Sequence, residues 1–145
     1  MYYKIYNMPV LNFIFRTAKA IPIAGKHEDE TLLNSAFDDI DKALADGDLV
    51  CIFPEGKLTA NGSIRTFRDG VEKIIKRRPV PVLPMALQGL WGCAFSRQQS
   101  NVFYRLYRGL TSSIGLVIGD MVEPQQVSAK MLQDRVLVLR DVVNR

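Results

Sequence analysis

The chain has 145 residues, 48 % of them hydrophobic and 23 % charged, which suits one folded domain with a real core and excludes a disordered chain. Lys and Arg outnumber Asp and Glu by 19 to 15, and a net charge of +4 with a pI near 9.2 favours anionic partners: phosphate-bearing lipid, a coenzyme-A tail or nucleic acid. Two cysteines, Cys51 and Cys93, have neither the number nor the spacing of a metal site or a disulfide framework.

Residues 1–7 read as a short helix. Residues 9–18 read as a second one, with Pro9 in its first turn and Val10, Leu11, Ile14, Phe15 and Ala18 at helical spacing. That helix packs on a core or lies at a membrane interface; a polar face with only Arg16 and Lys19 favours the core. The apolar residues from Met8 to Phe15 are interrupted by Pro9 and Asn12. They fall short of the roughly 18 residues that span a bilayer, and they do not form a secretory signal. Any membrane contact is therefore expected to be peripheral.

Residues 20–23 read as a short strand. Residues 30–46 carry the clearest helical stripe: Leu32, Leu33, Ala36, Phe37, Ile40, Ala43 and Leu44, with Gly47 as the stop. The acidic residues Asp38, Asp39, Asp41 and Asp46 lie off the stripe and read as a solvated face rather than an acid–base pair. Leu49 to Phe53 is an apolar run expected to be a buried strand, with Cys51 inside it as a buried, reduced thiol. A reducing location on the cytoplasmic side follows. Strand, helix and strand in this order suggest a βαβ pattern.

The run ends at Phe53-Pro54-Glu55-Gly56-Lys57. Pro54 cannot donate to a ladder and Gly56 accepts a turn that other residues resist. Glu55 is thereby presented at the carboxyl end of a strand, where open α/β sheets bind ligands. Residues 57–66 read as loop, and a helix follows from about Arg68 to Arg78. Its last turn, Lys76-Arg77-Arg78, suits the negative end of the helix dipole. Lys57, Arg65 and Arg68 lie near its start and are the better anion-binding candidates. Pro81 to Leu87 reads as an edge or irregular strand, given Pro79, Pro81 and Pro84. Trp91 and Phe95 lie in the loop 88–100, where they are expected to line an apolar pocket, touch a membrane or simply pack. Aromatic and basic residues alternate over 102–110, but no RNA-binding motif accompanies them. Residues 114–119 read as a strand and 126–143 as a closing helix, with Val127, Met131, Leu132, Val136, Leu139 and Val143 inward. No repeat, low-complexity tract or linker interrupts the chain, so residues 1–145 read as a single domain.

Three blocks in order carry a resemblance. Phe53-Pro54-Glu55-Gly56 resembles the third signature block of the glycerolipid acyltransferases, of the 1-acylglycerol-3-phosphate and acyl-glycerophosphoethanolamine type. Phe67-Arg68-Asp69-Gly70 is similar to the Phe-x-x-Gly that follows it, and Val82 to Leu87 to the fourth block. Ala20 to Ile23 resembles the strand of the second block. The resemblance covers roughly residues 1–90. It implies an α/β fold: a mixed, largely parallel sheet flanked by helices, here truncated at the amino end. It implies an enzyme of lipid metabolism that moves an acyl group from acyl-CoA or an acyl carrier protein to a lysophospholipid or glycerol phosphate hydroxyl. It implies no cofactor and no metal, no nucleic acid partner, and the cytoplasmic side of a bacterial inner membrane.

Carried over by residue, the resemblance makes Phe53, Pro54, Glu55, Gly56, Lys57, Arg65 and Arg68 the substrate-binding candidates. Lys26, Phe67, Gly70 and Pro84 are supporting ones. Glu55 is expected to accept a hydrogen bond from the acceptor hydroxyl or to orient a cation. Two places depart from the family. The Arg that ends the second block is Gly25 here, with Lys26 beside it, and the Arg two places after the third-block glycine is Leu58. The larger departure is catalytic. The family's base is a His followed five residues later by an Asp, upstream of the other blocks. The single histidine, His27, lies after the second block and has Leu32 at that spacing. It reads as a solvated loop residue. The chain is thus expected to be the carboxyl-terminal part of a longer enzyme and inactive alone, the competing reading being a non-catalytic module that binds acidic lipid or a protein.

Overall fold

The computed structural model describes residues 13, 15–25, 28–56, 59, 62–89 and 114–141. The chain divides into two compact units, Met1–Cys51 and Ile52–Arg145.

In the first unit, residues 15–17 are helical, with Phe13 exposed and Phe15 half-buried. The turn ends with Lys19 at φ 49°, Lys19 N–H donating to Arg16 O (3.0 Å) and Ala20 N–H to Phe15 O (2.8 Å). Helix α1, Glu30–Ala45, starts where Asp29 accepts the Leu32 N–H at 2.8 Å. It buries Ala36, Phe37 and Ile40, the centre of the expected stripe. It stops at Gly47, φ 83°, with Gly47 N–H bonded to Leu44 O and Asp48 N–H to Ala43 O. Both helical segments therefore end in the Schellman arrangement, one on glycine and one on lysine.

The expected strand 49–53 is not one. These residues carry no ladder pairing, and Leu49 and Phe53 are exposed at 102 % and 69 %. Cys51 is likewise exposed rather than buried, as a free thiol. A continuous apolar run is buried only where strands flank it, and among the described residues none pairs with this one. At 20–23 only Ile23 makes a bridge.

The second unit is built from helix α2, Gly70–Arg77, strands β1, Met85–Gln88, and β2, Gly115–Ile118, a 3₁₀ turn at Pro124–Gln126, and helix α3, Ala129–Asp141. Helix α2 is shorter than expected by two residues at the start and one at the end. Asp69 stands at the N-cap position without a side-chain cap bond, and Arg78 is already extended. Strands β1 and β2 pair antiparallel, Met85 with Ile118 and Leu87 with Leu116, and a bridge joins Val82 to Val122. The fold class is α/β, and the ladder among the described residues is the antiparallel portion that a mixed sheet allows. Its start is irregular, as the prolines require: Pro84 contributes only its carbonyl, to Gly119 N–H.

One sheet face packs on α3. There a Cβ on Gly119 would lie 2.9 Å from Leu139 and 3.3 Å from Pro84, so only glycine fits without a shift. The core joins Phe67, Val71, Val122 and Leu132, with Ile64, Val82, Val127 and Val136 against it. The closing helix begins at Ala129 rather than 126 and buries Leu132 of the expected face, with Met131, Val136 and Leu139 half-buried and Val143 outside the described residues.

Candidate functional site

The Phe53-Pro54-Glu55-Gly56 block folds as a β-turn. Gly56 N–H donates to Phe53 O at 3.1 Å. Pro54 holds the second position, where its fixed φ suits a turn. Among the described residues only Lys19 has a positive φ besides glycines, so Glu55 does not take the left-handed conformation of a type II turn. Gly56 itself does, at φ 66°.

The turn is closed by the segment that follows the loop. Arg65 N–H donates to Glu55 Oε2 at 2.7 Å, and Arg68 N–H to Pro54 O at 2.9 Å. The Arg68 side chain lies over Gly56: a Cβ there would sit 2.9 Å from Nε and 3.3 Å from Cζ. Glycine is needed twice at this position, for its φ and for the room it leaves the guanidinium.

Six of the candidates are therefore brought together: Pro54, Glu55, Gly56, Arg65, Arg68 and, through its neighbours, Phe67. Gly70 begins α2 directly behind them, and the Phe53 side chain is exposed. Among the described residues, Glu55 meets a main-chain N–H rather than a cationic side chain. Pro84 belongs to the start of β1, and no hydrogen bond among the described residues ties it to the turn. Lys26, His27 and Lys57 lie outside the described residues, as do Trp91, Phe95, Cys93 and the aromatic-basic stretch 102–110.

Charge at the site is mixed. Arg65 and Arg68 are exposed cations. Asp69, next to Arg68, is held below the usual carboxylate range by its hydrogen bond from Lys73, 2.8 Å away, with Arg68 adding to the effect. Among the described residues, no cluster of His, Cys, Asp or Glu could hold a metal ion. No described helix is long and apolar enough to cross a membrane.

The family model described as Acyltransferase matches residues 1–88, which include the turn and the block that closes it. The chain belongs to the acyltransferase family. The crystal structure of the 1-acyl-sn-glycerophosphate acyltransferase PlsC from Thermotoga maritima aligns with a TM-score of 0.69 at 18 % identity. The alignment covers 99 % of this chain and 55 % of that one, so the chain spans about half the length of that acyltransferase. At this identity the likeness is one of fold. That likeness of fold also covers the residues beyond 88, where β2 and α3 lie.

Two residues that tie α2 and the segment before it to α3 escaped the sequence reading. Gln133 Oε1 accepts the Phe67 N–H at 3.1 Å, and Glu72 Oε1 accepts the Ala129 N–H at 2.8 Å. Both are polar residues whose partners lie 57 or more positions away. A periodicity reading ranks such residues as solvated, and no local signal marks them.

Proposed function

We propose that this chain is the acceptor-binding part of a glycerolipid acyltransferase. In the reaction, an acyl group leaves the thioester of acyl-CoA or acyl carrier protein. It joins the hydroxyl of a lysophospholipid or of glycerol phosphate. The thioester is already activated, so the protein must deprotonate the hydroxyl, stabilise the oxyanion and hold the acceptor. The observation that carries the reading is the Phe53–Gly56 turn with the Arg68 guanidinium seated over Gly56, inside the segment matched by the family. A guanidinium offers a planar fork of donors suited to phosphate. Arg68 thereby replaces the missing Arg, since Leu58 stands two places after Gly56. Arg65 and Lys57 add positive charge, and Lys26 does so at the second block.

The base is not among these residues. His27 lacks an Asp at the family spacing, and a general base contributes about 10²–10⁴-fold. The chain by itself is therefore expected not to transfer acyl groups. Its place is peripheral, on the cytoplasmic face of a bacterial inner membrane, with anionic headgroups attracted by the net positive charge.

The test has two arms. The chain is titrated with glycerol 3-phosphate and with glycerol, and only the phosphate ester is expected to bind. Transfer from labelled acyl-CoA and acyl carrier protein to a lysophospholipid panel is then assayed on this chain and on a form lengthened at its amino end to carry His-x4-Asp. Transfer by the lengthened form alone supports the reading. Transfer by neither, with lysophospholipid or anionic vesicles still bound, favours a non-catalytic lipid-binding module, a reading the missing His-Asp pair also supports. Transfer by the short chain means that the base lies elsewhere.

A further inference from the structure

The segment Arg65 to Arg68 is held from two sides. Two of its N–H groups face the signature turn: Arg65 bonds to Glu55 Oε2 at 2.7 Å and Arg68 to Pro54 O at 2.9 Å. Between them, Phe67 donates to Gln133 Oε1 on α3 at 3.1 Å. The segment is thus a strap between the turn and the closing helix. The helix end of the strap is anchored independently. Glu72 accepts the Ala129 N–H at 2.8 Å, Ser128 Oγ accepts the Met131 N–H at 3.2 Å, and Leu132 shares the core with Phe67 and Val71.

Phe67 is a core residue and its N–H bond to Gln133 is partly buried, so the N–H gains from a protein acceptor. A buried donor left unmet costs about 1–3 kcal/mol. Without Gln133 the backbone at residue 67 shifts to admit water to the N–H, while the ring keeps its place in the core. Residues 65 and 68 are too close in sequence to stay in place when it does. The loss would then pass to Glu55, Pro54 and the Arg68 guanidinium over Gly56.

We propose that Gln133 is a positioning residue for the Phe53–Gly56 turn, acting through the 65–68 strap. It has no part in the chemistry and lies outside the segment matched by the family, residues 1–88. Its relevance to the reaction rests on the reading of the turn as the acceptor loop.

The experiment is amide hydrogen exchange by NMR on the full chain, with Gln133→Met, which removes the acceptor at similar length, and Gln133→Glu, which keeps an acceptor oxygen. Arg65 and Arg68 report the turn. Val82 and Val122, which bond to each other, report the core. Exchange at Arg65 and Arg68 is expected to rise by about tenfold or more in Gln133→Met, with Val82 and Val122 little changed, and to be restored in Gln133→Glu. A change confined to Phe67, or an equal rise at all four amides, overturns the proposal. Should Gln133→Met not fold, Gln133→Asn, whose oxygen falls one bond short, is scored in the same way. A glycerol 3-phosphate titration accompanies the series. Affinity is expected to fall about fivefold in Gln133→Met and recover in Gln133→Glu. A wild-type chain that binds no glycerol 3-phosphate removes the acceptor-loop reading, while the exchange pattern still decides the positioning role.

Discussion

At the scale of single residues, the signature turn rests on Gly56. Its φ of 66° costs a side-chain-bearing residue about 1–2 kcal/mol, and any Cβ displaces the Arg68 guanidinium as well. Gly56→Ala is therefore expected to lower urea-unfolding stability by about that amount and to weaken glycerol 3-phosphate binding. A variant with wild-type affinity would show that the seat of Arg68 is irrelevant to the ligand. Asp69 makes a different prediction, one in pH. The Lys73 ammonium favours the ionised carboxyl, so the folded pKa lies below the unfolded one. The pair's stabilisation is then present above the unfolded value, near 4, and disappears as pH falls through the lower folded value. The pair is solvent-exposed, so the effect is small. Asp69→Asn should cost less than about 1 kcal/mol at neutral pH and nothing in strong acid. A loss that persists in acid would point to a cap rather than an ion pair.

At the scale of elements, the helices were legible and the strands less so. Helix α1 announces itself through a full apolar stripe, an Asp29 cap and a Gly47 stop, and the observed Glu30–Ala45 departs by one residue from the expected bounds. Helix α3 was readable from its apolar positions but begins three residues later than expected, at Ala129, and strand β2 falls within the expected 114–119. Residues 49–53 were not, because apolar content records what a strand would bury and not whether a neighbour is there to bury it. Cys51 inherited that error, and its exposure follows from the same absence of pairing. The helical end at Lys19 shows the converse: tertiary context places a lysine where the motif favours glycine. The strain of about 1–2 kcal/mol there exceeds the entropy cost of a glycine, about 0.5–1 kcal/mol. Lys19→Gly is thus expected to be neutral to stabilising by up to about 1 kcal/mol, with the exposed Lys19–Asp48 contact at 3.7 Å too weak to reverse it. Thermal unfolding measures this directly, and a clear fall in Tm would mean that the ion pair outweighs the backbone.

At the scale of the whole molecule, the candidate site is legible only in part because it is assembled across distance. The turn itself, Phe53 to Gly56, and its closing block, Phe67 to Gly70, stand out as sequence. The side-chain bonds around them, Arg65 N–H to Glu55 and Phe67 N–H to Gln133, do not, since nothing local marks a carboxylate or an amide that will meet a main-chain N–H. The apolar surface divides in the same way. Leu132 and Ile118 look alike in sequence, each an aliphatic residue in a periodic element. Leu132 is 4 % exposed in the core, whereas Ile118 is 56 % exposed on the sheet face that also carries Met85, Leu87 and Leu116. Leu132→Ala should therefore cost about 2–5 kcal/mol, the range for an aliphatic residue cut back inside a core. Ile118→Ala removes area that is already more than half in water, and should cost under about 1 kcal/mol. Urea unfolding of the two variants at equal protein concentration compares them. If Ile118→Ala proves as costly as Leu132→Ala, the face is covered in solution, and the loss should then vary with protein concentration if a second copy is the cover and stay fixed if the chain itself is.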